Sequence, residues 1–361
     1  MATIRELDTS YNQRMLEIIE ASPMRSLFYD LKFDFGSCLF DRNGLLSGTC
    51  RFYGIFKENV LAGFGKIVDH QGYMAGLGTN LRYFGNFFIH PDFQRQGLFT
   101  RLIEFMIMEF ESMYPPGVGY FVFLNGNNPV DRFFKIKAGQ VKNMPLIREY
   151  SEFVTKSLII TRKKNFNPNG TIRLAAKSDR AKIEGFMAKN RGTGSFMPLD
   201  FNYHSASEYA ILESSGRITA ICELLDLGNY KKTRITKFKK GSYLFFLLMR
   251  ILQATLKLPQ FPRKGEAFRE LYINQIIRLD DEDAESALDL IRWAFNFCCE
   301  NKYNLLHLGL GRRDPLISRL KGFLSISITA KVLTVHPTSD KIEKDPCRNL
   351  NSPSFPDFKI L

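Results

Sequence analysis

The run Phe88-Ile89-His90-Pro91-Asp92-Phe93-Gln94-Arg95-Gln96-Gly97-Leu98-Phe99-Thr100 constrains this chain more than any other segment. The mostly apolar stretch Tyr83-Phe84-Gly85-Asn86-Phe87-Phe88-Ile89 leads into it and reads as a buried strand. Behind it Leu98, Leu102, Ile103, Phe105, Met106, Met108 and Phe110 continue without a breaker up to Pro115, as in an apolar-faced helix. A strand that turns into a helix leaves backbone N–H groups free at the helix start, and Gly97 lets a ligand come close to them. Arg95 adds positive charge and Thr100 a hydroxyl donor, so the junction is a cradle for a pyrophosphate. On spacing alone, the alternative is an ordinary strand–helix turn that holds a glycine.

The elements around this junction occur twice. Thr3-Ile4-Arg5-Glu6-Leu7 alternates as a strand, Asp8 or Ser10 can cap, and Met15, Ile18 and Ile19 have helical spacing. Strand-like residues 54–56 and 61–64 flank the turn Lys57-Glu58-Asn59. Residues 120–124 read as a strand, 125–128 as a loop and 130–137 as a short helix ended near Gly139. Thr171-Ile172-Arg173-Leu174 then echoes the opening strand, and Ser178-Asp179 precede a helix through Ile183, Phe186 and Met187. A hairpin at 211–221, a strand at 271–279, a helix at 284–299 and a strand at 305–310 follow. With 361 residues the chain can build two cores of ~150 residues, and a duplicated α/β unit is the economical reading. The expected division is 1–160, a linker at 161–170, and 171–361 with an insertion at 228–270.

Gln94-Arg95-Gln96-Gly97-Leu98-Phe99, led by His90-Pro91-Asp92-Phe93, resembles the signature of the GNAT-type, acyl-CoA-dependent N-acetyltransferases. That signature is Gln/Arg-x-x-Gly-x-Gly/Ala between a strand and a long helix, and here Phe99 replaces the final small residue. Leu124-Asn125-Gly126-Asn127-Asn128 and Phe133-Phe134-Lys135-Ile136-Lys137-Ala138-Gly139 resemble the family's next motif, an Asn-containing loop and a short aromatic helix. The resemblance covers residues 1–155 in motif order and 171–335 in element order. It implies an α/β (α+β, mixed-sheet) fold of two tandem GNAT-like acyl-CoA N-acyltransferase domains, the second degenerate.

The resemblance also implies acetyl-CoA, or another acyl-CoA, as co-substrate. Backbone groups of Phe87, Phe88 and Ile89 would meet the pantetheine arm. Gln94, Arg95, Gln96, Gly97, Leu98, Phe99 and Thr100 would hold the pyrophosphate, and Asn128 (or Asn127) would touch the cofactor across the splayed sheet. The reaction expected is acyl transfer to an amine of a small-molecule or sugar-like acceptor. Because clefts between domains are common ligand sites, that acceptor is expected between the two halves, with basic residues of the second attracting an anionic group. On this view a fragment of residues 1–160 keeps cofactor binding and loses transfer. An apolar face of Leu288, Ile291, Trp293 and Phe295 in the second half would serve the shared interface.

No catalytic residue follows from the sequence. The family's chemistry needs a base or water for the amine proton and often a Tyr for the leaving thiolate. The Tyr position falls on Phe134, which has no proton to give. Tyr83 and Tyr120 suit sheet packing, Asn86 cannot act as a base, and His90 beside Pro91 orders the loop. A non-catalytic acyl-CoA-binding or scaffold protein is therefore the rival reading.

Charge and cysteines narrow the partners. The balance is +13, with 16 Lys and Arg against 15 Asp and Glu in residues 1–150 and 34 against 22 in the remainder. The excess therefore belongs to the second half and favours acidic partners. At the second half's junction Asp280-Asp281-Glu282-Asp283 suit a helix start but repel a pyrophosphate, so one cofactor site is expected. The insertion carries six basic residues over 230–240 and then an apolar helix candidate at 242–258, interrupted by Arg250 and Lys257. That is a poor membrane span; a peripheral membrane contact is a weaker reading than packing on the protein, and no nucleic-acid motif accompanies the charge. The six cysteines show no metal or disulfide spacing, and the charged N-terminus is unlike a signal peptide, which points to the cytoplasm.

Overall fold

The computed structural model describes residues 2–25, 29–45, 48–74, 77–112, 117–127, 130, 133–134, 145–190, 196, 206–239, 247, 251, 255, 262–279, 284–336 and 358–359. Strand β1 (Ala2–Leu7) passes through a turn capped by Asp8, whose carboxylate accepts the Ser10 N–H, into α1 (Asn12–Glu20), which buries Met15, Ile18 and Ile19. Two short strands follow, β2 (Met24–Arg25) and β3 (Tyr29–Asp34). The hairpin of β4 (Gly48–Lys57) and β5 (Val60–Met74) turns at Glu58 and Asn59, with φ of 51° and 64°. Two adjacent left-handed residues are what a tight right-twisted hairpin requires. β6 (Leu77–Ile89), α2 (Leu98–Met108) and β7 (Gly117–Leu124) complete the unit, and β8 (Leu146–Ile159) follows.

The second half repeats the series with β9 (Thr171–Leu174), α3 (Arg180–Asn190), β10 (Ser207–Ser214) and β11 (Arg217–Leu225). β12 (Lys232–Phe238) is extra, and β13 (Glu270–Arg278), α4 (Ala284–Glu300) and β14 (Leu305–Gly311) restore the pattern. The short helix α5 (Leu316–Arg319) and β15 (Ser325–His336) close it.

Among the described residues twelve strands form one mixed sheet in the order β1-β4-β5-β6-β7-β15-β8-β14-β13-β11-β10-β9. Only β6–β7 and β13–β14 are parallel, each pair joined through a helix, α2 or α4. From either edge inwards the strands of the two halves follow one plan. At the centre their last strands are exchanged: β15 of the second half pairs with β7, from Val335↔Gly119 to Ala330↔Leu124, and β8 of the first pairs with β14. β15 and β8 also pair with each other along their length.

The cores record the same exchange. Leu333 and Val335 fill the core beneath α2, and Leu158 and Ile160 that beneath α4. The expected apolar interface face is corrected here. Leu288, Ile291 and Phe295 are buried inside the second half's own core, with Trp293 packed against it, because α4 lies on its own sheet. The halves are joined by strands, not by that helix face. A central cluster holds Tyr83, Tyr120 and Phe153 together with Leu225, Tyr272 and Phe358.

The basic segment is partly a strand: β12 pairs with β3, and Arg234 donates to Asp34 from Nε at 2.9 Å and Nη2 at 2.7 Å. The helix candidate at 242–258 lies almost wholly outside the described residues. Among the described residues no helix is long and apolar enough to cross a membrane.

Candidate functional site

Strands β6 and β7 pair only as far as Phe84↔Phe121, after which they part. The cause is local: β6 bulges at Asn86, whose φ is 51°, and its register against β5 shifts there. Past the bulge, His90 N donates to Ala62 O at 2.9 Å. Alternation along an antiparallel strand then turns the main chain of Phe88 toward β5 and that of Phe87 and Ile89 into the gap. Of the three residues expected along the pantetheine, Phe88 has its polar backbone engaged on the sheet. Its ring packs on Phe64, while Phe87 stacks on Phe121 from the other face.

The loop after β6 spends its side chains on shaping itself. Gln94 Nε2 donates to Ile89 O at 3.1 Å, Gln96 Nε2 to Asp92 O at 3.1 Å, and Lys57 Nζ to Gln96 Oε1 at 2.7 Å. His90 Nδ1 accepts the Asp92 N–H at 3.3 Å, the ordering role its place beside Pro91 suggests. Arg95 and Gly97 both sit in the left-handed region, with φ of 62° and 74°. That fold of the chain turns successive N–H groups to one side. The first intrahelical bond of α2 runs from Arg101 N to Gly97 O at 3.1 Å. Among the described residues the backbone N–H groups from Arg95 to Thr100 have no acceptor.

A Cβ on Gly97 would meet no protein atom within 4 Å, so the glycine is not forced by crowding from the protein itself. Its place is open on the side where a ligand would come. Leu98 is buried. Phe99, where the family signature has a small residue, packs edge-on against Phe87 with ring centroids 5.9 Å apart. The ring thus turns into the core and leaves its N–H at the helix start. Gln94, Arg95, Gln96 and Gly97 are exposed, Thr100 half-buried. Asn128 lies outside the described residues; Asn127 is exposed in the turn after β7 and accepts the Val130 N–H at 3.0 Å.

The candidates for proton transfer are mostly packed away. Phe134 lies among Phe121, Phe123 and Phe133. Tyr83 and Tyr120 are buried on the opposite face of the sheet, where the Tyr120 hydroxyl meets His70 Nε2 at 3.1 Å. Burial pushes His70 down to about 4, so the ring is neutral. The sequence reading missed this pair because its members stand 50 residues apart on β5 and β7. It also missed a buried chain in which Ser157 meets His307 Nδ1 at 2.8 Å and His307 Nε2 meets Glu270 at 3.2 Å.

In the second half the acidic run 280–283 lies outside the described residues. The sheet there carries residues from the chain's end: Phe358 N donates to Asn274 Oδ1 at 2.8 Å, and Lys359 pairs with the buried Glu223.

Residues 9–139 match the acetyltransferase (GNAT) family. Over that span the chain is similar to a GNAT domain. The matched span holds the bulge, the gap and the cradle described above. The whole fold is similar to a GCN5-related N-acetyltransferase from Anabaena variabilis (TM-score 0.52, 11% identity, 92% of this chain and 72% of that one). It is also similar to N-myristoyltransferase from Saccharomyces cerevisiae with bound myristoyl-CoA (TM-score 0.59, 10% identity, 93% of this chain and 84% of that one). A probable N-acyltransferase from Enterococcus faecalis aligns too (TM-score 0.51, 10% identity, 92% and 72%). No curated protein matches the sequence. Each similarity spans both halves, so residues 9–139 and the strand-exchanged second half belong to one fold.

Proposed function

We propose that this chain transfers an acyl group, acetyl in the first instance, from acyl-CoA to an amine. The observation that carries the reading is the row of acceptor-free N–H groups from Arg95 to Thr100 at the start of α2, with Gly97 open toward the ligand side. The pyrophosphate would take those N–H groups with Arg95 beside it, and the pantetheine amides would meet the main chain of Phe87 and Ile89. The family match supports acetyl-CoA as donor. The likeness to an N-myristoyltransferase brings in longer acyl groups, which competition between acetyl- and myristoyl-CoA separates. The acceptor is an amine in the region between the halves. The described cysteines, Cys38, Cys50, Cys222, Cys298 and Cys299, are all free, which supports a reducing compartment such as the cytoplasm.

The test is Gly97→Val. The left-handed backbone costs a β-branched residue about 1–2 kcal/mol, little enough for the fold to persist. The new methyls would stand in the cradle, and the Kd for CoA by calorimetry should rise at least tenfold, about 1.4 kcal/mol. Unchanged affinity in a folded variant refutes the cradle. Phe134, enclosed by phenylalanines, favours a second reading in which the site binds acyl-CoA without turning it over. CoA binding with no thiol release across an amine panel would establish that reading.

A further inference from the structure

A cavity of about 260 Å³ opens in the second half between the turn after β11 and the segment leading into β13. It shares no residue with the cradle, and its size suits a small metabolite rather than a coenzyme. The charges in its wall divide into those already balanced and those still open.

Glu270 is balanced. It accepts from Thr233 Oγ1 at 2.8 Å and meets His307 Nε2 at 3.2 Å. Burial works against its charged form, but His307, Thr233 and the charge of Lys231 outweigh it and keep the carboxyl below its ordinary value. Lys231 in turn lies over the ring of Phe33, 4.5 Å from its centroid. Asp226 is only half used. One oxygen accepts the Gly228 N–H at 2.8 Å and the other the Tyr303 hydroxyl at 2.7 Å. A carboxylate offers about four acceptor positions, so about two remain.

The open cations stand at the rim. Lys232 and Arg269 are exposed, and neither forms an ion pair within 4 Å among the described residues, though Lys232 stands opposite Asp34 in the β12–β3 register and its charge helps hold that carboxyl low. The Arg269 guanidinium rests 5.1 Å from the ring centroid of Tyr303, the residue that donates to Asp226. Two exposed cations and one part-open carboxylate thus line one small space. A simple anion would meet Asp226 unfavourably, and a simple amine would meet Lys232 and Arg269 unfavourably.

We propose that this cavity binds a small amino-dicarboxylate, its ammonium on Asp226 and its two carboxylates on Lys232 and Arg269. Titration calorimetry of the full chain uses L-glutamate and L-aspartate as probes. Glutarate, which lacks the ammonium, and 4-aminobutyrate, which lacks one carboxylate, are the comparisons. Saturable binding of at least one probe is expected, with both comparison molecules at least about tenfold weaker. Lys232→Met combined with Arg269→Gln should weaken the probe at least about tenfold while the melting curve stays in place, since both side chains are on the surface. The proposal is overturned if neither probe binds at millimolar concentration, if glutarate binds as tightly, or if the double variant binds unchanged. CoA affinity, measured on the same samples, reports on the cradle separately.

Discussion

Replacing Lys359 by Met should expose how much of the fold depends on one buried charge pair. Glu223 is 3% exposed and accepts from Ser207 Oγ at 2.7 Å, Asn274 Nδ2 at 2.7 Å and Lys359 Nζ. Burial alone would raise its pKa, but the charge and hydrogen bond of Lys359, with Asn274 and Ser207, hold it below the ordinary value. Removing Lys359's charge strands a carboxylate in the interior, and breaking such a pair costs about 3–5 kcal/mol. At about 2.1 cal/mol/K per residue the unfolding entropy of this chain is about 0.8 kcal/mol/K, so Tm should fall by about 4–6 °C. The sign with pH is fixed. A carboxyl with a lowered folded pKa contributes stability above its unfolded value, and that stability is lost as pH falls through the folded value. In Lys359→Met burial raises the stranded carboxyl above its ordinary 4.5, so the gap from the parent should start to narrow above pH 4.5 and go on narrowing as pH falls to the parent's lowered value. The double variant Glu223→Gln, Lys359→Met should recover at least half the loss in urea unfolding, since the amide still serves Ser207 and Asn274. A single variant within about 0.5 kcal/mol of the parent, the size of an ordinary surface change, or a double variant no better than the single, would refute the reasoning.

His70, held neutral by burial at about 4, should show no titration of its ring protons by NMR between pH 8 and about 5. Because its folded pKa lies below the unfolded value, stability is lost as pH falls from about 6.5 to 4, by roughly 3 kcal/mol; a ring that titrates near 6.5 sinks this. CoA should bind once per chain in calorimetry, since the second junction carries Asp280-Asp281-Glu282-Asp283; a stoichiometry near two would contradict it. A fragment of residues 1–160, expected from the sequence to keep cofactor binding, lacks β15, and with it Leu333 and Val335 from the core beneath α2, so it should instead show no cooperative unfolding transition and no CoA binding. A fragment that melts cooperatively would show that β7 does not need its exchanged neighbour.

The local parts of this fold were legible because they depend on nearby residues. The turn at Glu58 and Asn59, the buried spacing of α1 and the Gly97 junction each follow from a few adjacent side chains. So did the repeat, since Thr171-Ile172-Arg173-Leu174 restates the first strand. What the sequence could not disclose was partner choice. Residues 325–336 alternate well enough for a strand, but alternation sets which face a side chain takes and not which neighbour it pairs with. The left-handed turn at Arg95, with its row of open N–H groups, was only half visible, because arginine seldom takes that conformation without the surrounding loop bonds of Gln94 and Gln96. Arg269 and Asp226 were invisible as a pair for the same reason: 43 positions separate them, and Tyr303 joins them from a third segment.

The exchanged centre of the sheet also sets a clock on synthesis. The edge of β7 is complete once Leu124 has been made, but its partner begins at Ser325, about 200 residues later. At roughly 5–20 residues per second that interval is about 10–40 s. Throughout it the emerging chain carries an unpaired strand edge and an unfilled core beneath α2, a state prone to pairing with other chains. The N-terminal half therefore cannot finish folding on the ribosome ahead of the second. This acyltransferase fold is completed from its centre and late, and its yield in a cell should depend on chaperones that shield β7 until β15 arrives.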